Sequence, residues 1–391
     1  MTPWVRRDPP GGAPATHALV VGVSRYTNLP VDGEAPPVAN ETFGLRHAKT
    51  PATSAWLFAR WLESTYNNPA APIGTIRVLL SPSDWEIENV PELADLPVEI
   101  IAATRDNVDE AVAEWFADSR SSAENVAVLY AGGHGIQMGK DDGGIVLLED
   151  FAKLPNVLDH SLDVGAVRKG MAGETIAQRQ FYFVDACRVR PAPATRFETL
   201  GTGVGLPSPF EGAPRCSAVY FSATPSTEAL GEPGKGTLFV QALLDCLGTS
   251  LGVDDHAQED GTWAVTTATL MQALPKRVRE LAEAFEMEQT ATTGGQLQDV
   301  PFHVLAEPPD VPITLLLTPE NAAVCARAKL WIGATSVFDD EAFTPRLEKR
   351  VKAGKYILTV RIEPPTPPFK DIDAYPVIAL PPHQTETISV A

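Results

Sequence analysis

Apolar residues in this chain come in short unbroken runs, and the stretches between those runs carry a helical period. His17–Val23 (HALVVGV), Thr75–Leu80 (TIRVLL), Asn125–Ala131 (NVAVLYA), Gln180–Asp185 (QFYFVD) and Ala218–Ser222 (AVYFS) read as strands, with a sixth over residues 300–305. Thr50-Pro51 opens a helix, with Thr at the cap and Pro at the first helical position, and this helix carries Trp56, Leu57, Ala59, Trp61 and Leu62. Residues 106–118, 162–171, 237–247 and 267–288 also read as helices, and Gly144–Leu148 as a short strand or hairpin arm. Strands that are apolar throughout need cover on both faces, which two helix layers around a mostly parallel sheet provide. The expectation for residues 15–306 is therefore an α/β sandwich with a mostly parallel six-stranded sheet.

The tail reads differently. Ile313–Leu317, Ala328–Ile332, Tyr356–Ile362 and Val377–Leu380 alternate or run apolar, with turns between them and little helical period. Short strands at that spacing predict a small C-terminal β-sandwich. Prolines punctuate the same divisions: eight in 1–51, seven in 191–233, five in 301–319 and seven in 364–382. Proline is excluded from helix interiors and central strands, so these clusters mark connecting segments. The expected organisation is an arm over 1–16, an α/β domain over 17–306 with a linker at 189–215, and a β-sandwich over 311–391.

Composition is that of an ordinary globular chain, with 44% hydrophobic and 21% charged residues. The net charge of −19 sets up a field that repels nucleic acid and anionic lipid, so neither is an expected partner. No apolar run approaches the roughly 18 residues that cross a bilayer. The first residues, with Arg6 and Arg7 and no continuous apolar core, do not read as a signal peptide. Cys187, Cys216, Cys246 and Cys325 lie far apart without a CxxC pair. That spacing argues against a zinc ribbon or disulfide scaffold and suits a cytoplasmic protein.

Two places join a buried strand, a sharp turn and a reactive side chain. Gly132-Gly133-His134-Gly135 follows the strand NVAVLYA, and Asp185-Ala186-Cys187-Arg188 closes the strand QFYFVD. In open α/β sheets the reactive edge lies beyond the carboxyl ends of the strands. If the two strands are parallel neighbours, His134 and Cys187 emerge side by side. An imidazole is the usual partner that turns a thiol into a thiolate near neutral pH. Glycines beside the histidine let backbone approach a substrate, and the Gly135 N–H is then free to meet an oxyanion. Alone, each residue has a plainer reading: a cysteine at a strand end as a small buried hydrophobe, a glycine-flanked histidine as a turn residue. The pair, 53 residues apart, favours chemistry.

With these residues in place, the sequence resembles the caspase-like cysteine peptidases, nearer the metacaspase and prokaryotic caspase-homologue branch than the animal caspases. ALVVGVSRY resembles that branch's opening strand, YAGGHG its histidine turn with one extra glycine, and FVDACR its strand ending in D-x-C. AVYFSATPSTEA resembles the following substrate-binding segment, and Gly236–Phe239 the start of the next helix. The resemblance covers roughly 17–306 and implies a caspase-like three-layer fold. It implies Cys187 as nucleophile and His134 as general base and acid, with the backbone N–H groups of Gly135 and Cys187 as the oxyanion hole. Asp185 would lie in the pocket for the residue before the cut bond (P1), flanked by Ser222, Ala223 and Thr224, and would select Arg, or Lys, in a protein or peptide substrate. It also implies a linker at 189–215 of the kind cut during activation, by the enzyme itself or an activating protease. A role in a bacterial defence or cell-death cascade, under a regulatory protein, would fit such a peptidase. Two departures stand out: Lys49-Thr50 replaces the family's N-D pair, and Val189 replaces the glycine of C-x-G.

No cofactor is expected. Asp141-Asp142 could bind calcium, as in some metacaspases, although a solvated turn explains the pair as well. Asp254-Asp255 lacks the glycine and glutamate of a calcium loop, and Gly231–Gly236 (GEPGKG) fails the phosphate-loop spacing. The rival reading is a catalytically silent caspase fold that serves only as a binding module.

Overall fold

The computed structural model describes all residues except 31–40, 139–143, 198–199, 210–211, 213, 224–230, 233, 255–261, 297 and 364–368. The chain divides into two compact units, Met1–Leu244 with Met271–Phe302, and Asp245–Leu270 with His303–Ala391.

Seven described strands form the main sheet of the first unit: β1 (Val5–Arg6), β2 (Thr16–Val23), β3 (Ile73–Ser81), β4 (Val126–Gly133), β5 (Arg179–Ala186), β6 (Cys216–Phe221) and β7 (Thr292–Gln296). Their spatial order is β1-β3-β2-β4-β5-β6-β7. The inner run β3-β2-β4-β5-β6 is parallel throughout, and β1 and β7 add to its two edges antiparallel. Every residue of β2, β3, β4 and β6 is buried, and their sequences are mostly apolar; Arg77 of β3 is buried with its guanidinium paired to Glu114 and Asp118.

Helices cover both faces. On one, α1 (Pro51–Ser64) sets Phe58 against Tyr130 of β4 and Phe183 of β5, with ring centroids 5.1 and 5.3 Å away. On the other, α2 (Arg105–Ser119) places Val108, Ala111, Val112 and Trp115 on one stripe, and α3 (Val164–Gly170) adds Val164 and Val167 to the same apolar cluster as Leu129, Tyr182 and Val184. Thr50 occupies the cap position of α1, but its side chain makes no capping bond. The free N–H groups of that first turn go instead to Ser24 Oγ, from Ala52, and to the buried Glu86 carboxylate, from Thr53.

The parallel sheet is as expected, but its membership differs at the edges. The run over 300–305 does form a strand, Pro301–Val304, in a separate two-stranded sheet. The edge is β7 (TTGGQ), whose half-exposed position beside β6 needs backbone pairing more than apolar side chains. Directly after β4, the strands Gly135–Ile136, Ile145–Leu147 and Ser161–Asp163 build a small antiparallel sheet. The 189–215 segment is stitched to it: Val189 bridges Ile136, and Val204 bridges Leu162.

In the second unit, β8 (Asp310–Thr318), β9 (Ala326–Ile332), β10 (Thr335–Ala342), β11 (Leu347–Lys352), β12 (Gly354–Ile362), β13 (Ile372–Ala379) and β14 (Gln384–Ser389) form two sheets. Their orders are β11-β8-β14 and β10-β9-β12-β13. Burial alternates along β8 and β9, with Val311, Ile313, Leu315 and Leu317 inside on one and Ala326, Ala328 and Leu330 on the other. That is the pattern of strands that each show one face to a core. No described helix is long and apolar enough to cross a membrane.

Candidate active site

The ladder between β4 and β5 places the two reactive residues. Its rungs run from Val126–Arg179 to Gly133–Ala186, and the bridge Ile136–Val189 beyond the strand end keeps the same offset of 53 residues. His134 and Cys187 lie between these points at the same offset, so they leave the sheet at one level from adjacent parallel strands. Each stands directly after the last residue of its strand, beyond the final rung of the ladder. Both are partly exposed.

Three contacts fix His134. Its N–H donates to Tyr26 Oη at 2.7 Å, and the two rings lie 5.0 Å apart at 30°. Nε2 lies 2.6 Å from the Arg46 carbonyl oxygen. A carbonyl can only accept, so Nε2 carries the hydrogen and Nδ1 keeps its lone pair. Burial holds the His134 pKa below its ordinary value, against an opposing pull from the Arg46 carbonyl, and His47 lowers it further. The ring is therefore neutral at physiological pH.

Gly135 admits no larger residue. A Cβ there would stand 2.3 Å from the Cys187 carbonyl oxygen and 2.6 Å from Ala186 Cβ. The His134 carbonyl accepts from Leu147 N–H at 2.9 Å, on the side of the small sheet. In a trans peptide the N–H points opposite the C=O, so the Gly135 N–H points away from that sheet, toward the Cys187 strand.

Asp185 is 1% exposed. Its Oδ2 accepts from Tyr130 Oη at 2.5 Å and from Thr237 Oγ1. Thr237 N–H in turn donates to Ser54 Oγ at 2.8 Å, which donates to the Thr50 carbonyl. Oδ1 has no hydrogen-bond partner. Burial pushes the Asp185 pKa up to about 6, and the hydrogen bonds from Thr237 and Tyr130 only partly counter it.

The other expected substrate contacts fare unevenly. Ser222 and Ala223 follow β6 and are fully buried, and the Ser222 hydroxyl donates to the Ala186 carbonyl at 3.2 Å. Thr224 and the Asp141-Asp142 pair lie outside the described residues. No described group of three His, Cys, Asp or Glu is placed to hold a metal ion. Directly after Cys187, Arg188 is buried against the Phe221 ring, with its guanidinium carbon 4.0 Å from the centroid and Nη1 donating to Thr292 Oγ1. Sequence reading missed Tyr26, Arg46, Tyr130 and Thr237. Period-two alternation could have found Tyr130, which shares a face with Asp185 across the β4–β5 ladder. Arg46 acts through its main chain, and nothing in a sequence marks that.

These features define an α/β protein whose histidine and cysteine emerge together beyond adjacent parallel strands, over a buried carboxylate. A family model described as the caspase domain matches residues 67–294, more than half of the 391-residue chain, and the protein belongs to that family. The matched span holds His134, Asp185 and Cys187 and begins after β2. Among solved structures the chain is similar to caspase-1 from Spodoptera frugiperda, at 11% identity and a TM-score of 0.43, over 78% of this chain and 96% of that one. No curated protein matches it by sequence.

Proposed function

We propose that this protein is a cysteine endopeptidase in which Cys187 is the nucleophile and His134 the general base and acid. The observation that carries this reading is the shared 53-residue offset, which brings His134 and Cys187 out at one level while Nδ1 of the histidine keeps its lone pair. His134 takes the thiol proton, and the thiolate sulfur attacks the scissile carbonyl carbon. The C–S bond forms as the carbonyl electrons move to oxygen, where the N–H groups of Gly135 and Cys187 receive the charge. The imidazolium then protonates the leaving nitrogen as the C–N bond breaks, leaving a thioester. A water deprotonated by His134 attacks the thioester, releases the new carboxyl terminus and restores the thiol.

The buried carboxylate supports a preference for Arg, and less for Lys, before the cut bond. A buried carboxylate with one oxygen unpaired is costly, and a substrate guanidinium would complete it with charge-assisted hydrogen bonds. Lysine brings the charge without the paired donors. The deciding experiment is a peptide-library cleavage profile of wild type beside Cys187→Ala, with an acyloxymethyl ketone to label the nucleophile. Cleavage after basic residues that vanishes in Cys187→Ala, with the label on Cys187, supports the proposal. A folded protein with neither turnover nor label would be the silent binding module instead.

A further inference from the structure

The loop that orients His134 is itself held by the segment downstream of Cys187. Thr42–Leu45 make a tight turn closed by Leu45 N–H to the Thr42 carbonyl at 3.0 Å. Phe43 takes a left-handed conformation there, with φ at 56°, next to Gly44 at 71°. A bulky side chain in that region is strained and persists only where its surroundings hold it. Here the Phe43 ring lies between two others: Phe151 at 5.6 Å and Phe197 at 6.0 Å, the latter edge-on. Three residues after Phe43, the Arg46 carbonyl accepts the Nε2–H of His134. The loop is tied down again at Ala48, whose N–H donates to the Ser24 carbonyl at 2.8 Å.

Phe197 ends the short turn Ala192–Phe197 within the segment that follows the nucleophile, and it is almost fully buried. The neighbouring Arg196 reaches Glu41 at only 3.9 Å from an exposed position, a pairing that contributes little. The contact that matters between the two segments is aromatic.

We infer that Phe197 is a positioning residue for His134. Its ring wedges Phe43 into the strained turn, the turn presents the Arg46 carbonyl, and that carbonyl keeps the hydrogen on Nε2. The segment after Cys187 thereby sets the protonation geometry of its partner, some 60 residues away in sequence. This inference rests on the reading of His134 as the base.

Two readouts test it. With Phe197→Ala, kcat on the best peptide substrate should fall about tenfold with KM little changed, because orientation is lost and not the substrate pocket. In 15N-histidine spectra, assigned with His134→Ala, the His134 ring should move from a single Nε2–H tautomer toward a mixture. Phe197→Leu, which keeps the apolar volume, should show the same changes at smaller size and covers the case in which the alanine variant fails to fold. Arg196→Ala should change neither readout. An unchanged kcat together with an unchanged tautomer in a folded Phe197→Leu and Phe197→Ala would overturn the inference. If wild type has no turnover, the peptidase reading fails, while the tautomer comparison still decides whether Phe197 positions His134.

Discussion

Gly133 pairs with Ala186 as the last rung of the β4–β5 ladder, and one residue further on stand His134 and Cys187. The strands beneath them are buried along both faces, so neither can slip by a residue without turning its apolar side chains to the wrong face. The arrival of Cys187 and His134 at one level is in this sense a by-product of core packing. A rigid sheet supplies the level, and only the final step of each chain is free to serve chemistry.

Cys187→Ala and His134→Ala should each lower kcat at least a thousandfold, with thermal unfolding within a few degrees of wild type, since both side chains lie beyond the strand ends. Cys216→Ala removes a buried thiol at the opposite end of the sheet from the ladder's last rung, and Cys246→Ala a buried thiol of the second unit; both should cost some stability but not turnover. Intact-mass analysis after alkylation, with steady-state rates, checks both halves. A label on Cys216 or Cys246, or turnover in Cys187→Ala, would sink the assignment.

What the sequence discloses and what it hides divide along physical lines. Strands β2, β4 and β5 are legible because a parallel strand covered on both faces is apolar at most positions, with buried polar exceptions such as Gln180 and Asp185. The edge strand β7 is not, because Thr-Thr-Gly-Gly-Gln has nothing to bury and is recruited by backbone pairing with β6. In the tail, Thr335–Ala342 and Leu347–Lys352 carry charged residues on exposed faces and escape a search for apolar runs. At the site, His134 announces itself by a glycine turn at a strand end, and Cys187 by its place directly after an apolar strand. Tyr26 lies 108 residues from the His134 N–H it accepts, and only the folded sheet reveals the contact.

The stitched linker makes its own prediction. Val189 bridges Ile136, Gln137 N–H donates to the Val189 carbonyl, Val204 bridges Leu162, and Asp163 N–H donates to the Val204 carbonyl. A cut between 190 and 203 therefore leaves one bridged residue pair on each side of the break. Limited trypsin treatment should cut after Arg196, whose side chain is 74% exposed, and the two fragments should co-elute on gel filtration. Fragments that separate without denaturant would show that these bridges do not hold the halves.

Substrate preference should follow the unpaired Oδ1 of Asp185. Removing one member of a buried charge pair costs about 2–5 kcal/mol, so Asp185→Asn should lower kcat/KM on Arg peptides at least tenfold. Lys peptides should start lower and lose less, and peptides with Asp before the cut bond should be rejected by wild type. A variant indistinguishable from wild type on Arg peptides, or a wild-type preference for Asp, would remove Asp185 from the pocket.

The same carboxyl should leave a signature in stability. Burial raises its pKa in the folded protein to about 6 from an ordinary 3.8. The folded state thus holds this proton more tightly than the unfolded chain, so ionising Asp185 works against folding. That unfavourable contribution is fully present above about pH 6, shrinks as pH falls through the window down to 3.8, and is gone below it. Asparagine keeps an oxygen for Tyr130 and Thr237 and never ionises, so Asp185→Asn should unfold at a higher temperature than wild type at pH 8. The gap should close between pH 7 and pH 4, a comparison in which every other titrating group is shared by the two proteins. Activity should move the opposite way: a cationic P1 residue needs the ionised form, so wild-type kcat/KM on Arg peptides should fall as pH drops below about 6. Calorimetry at matched pH values checks the first statement and initial rates the second. A stability gap constant from pH 8 to pH 4, or an Asp185→Asn protein less stable at pH 8, would mean that the buried carboxyl is neutral or paired throughout.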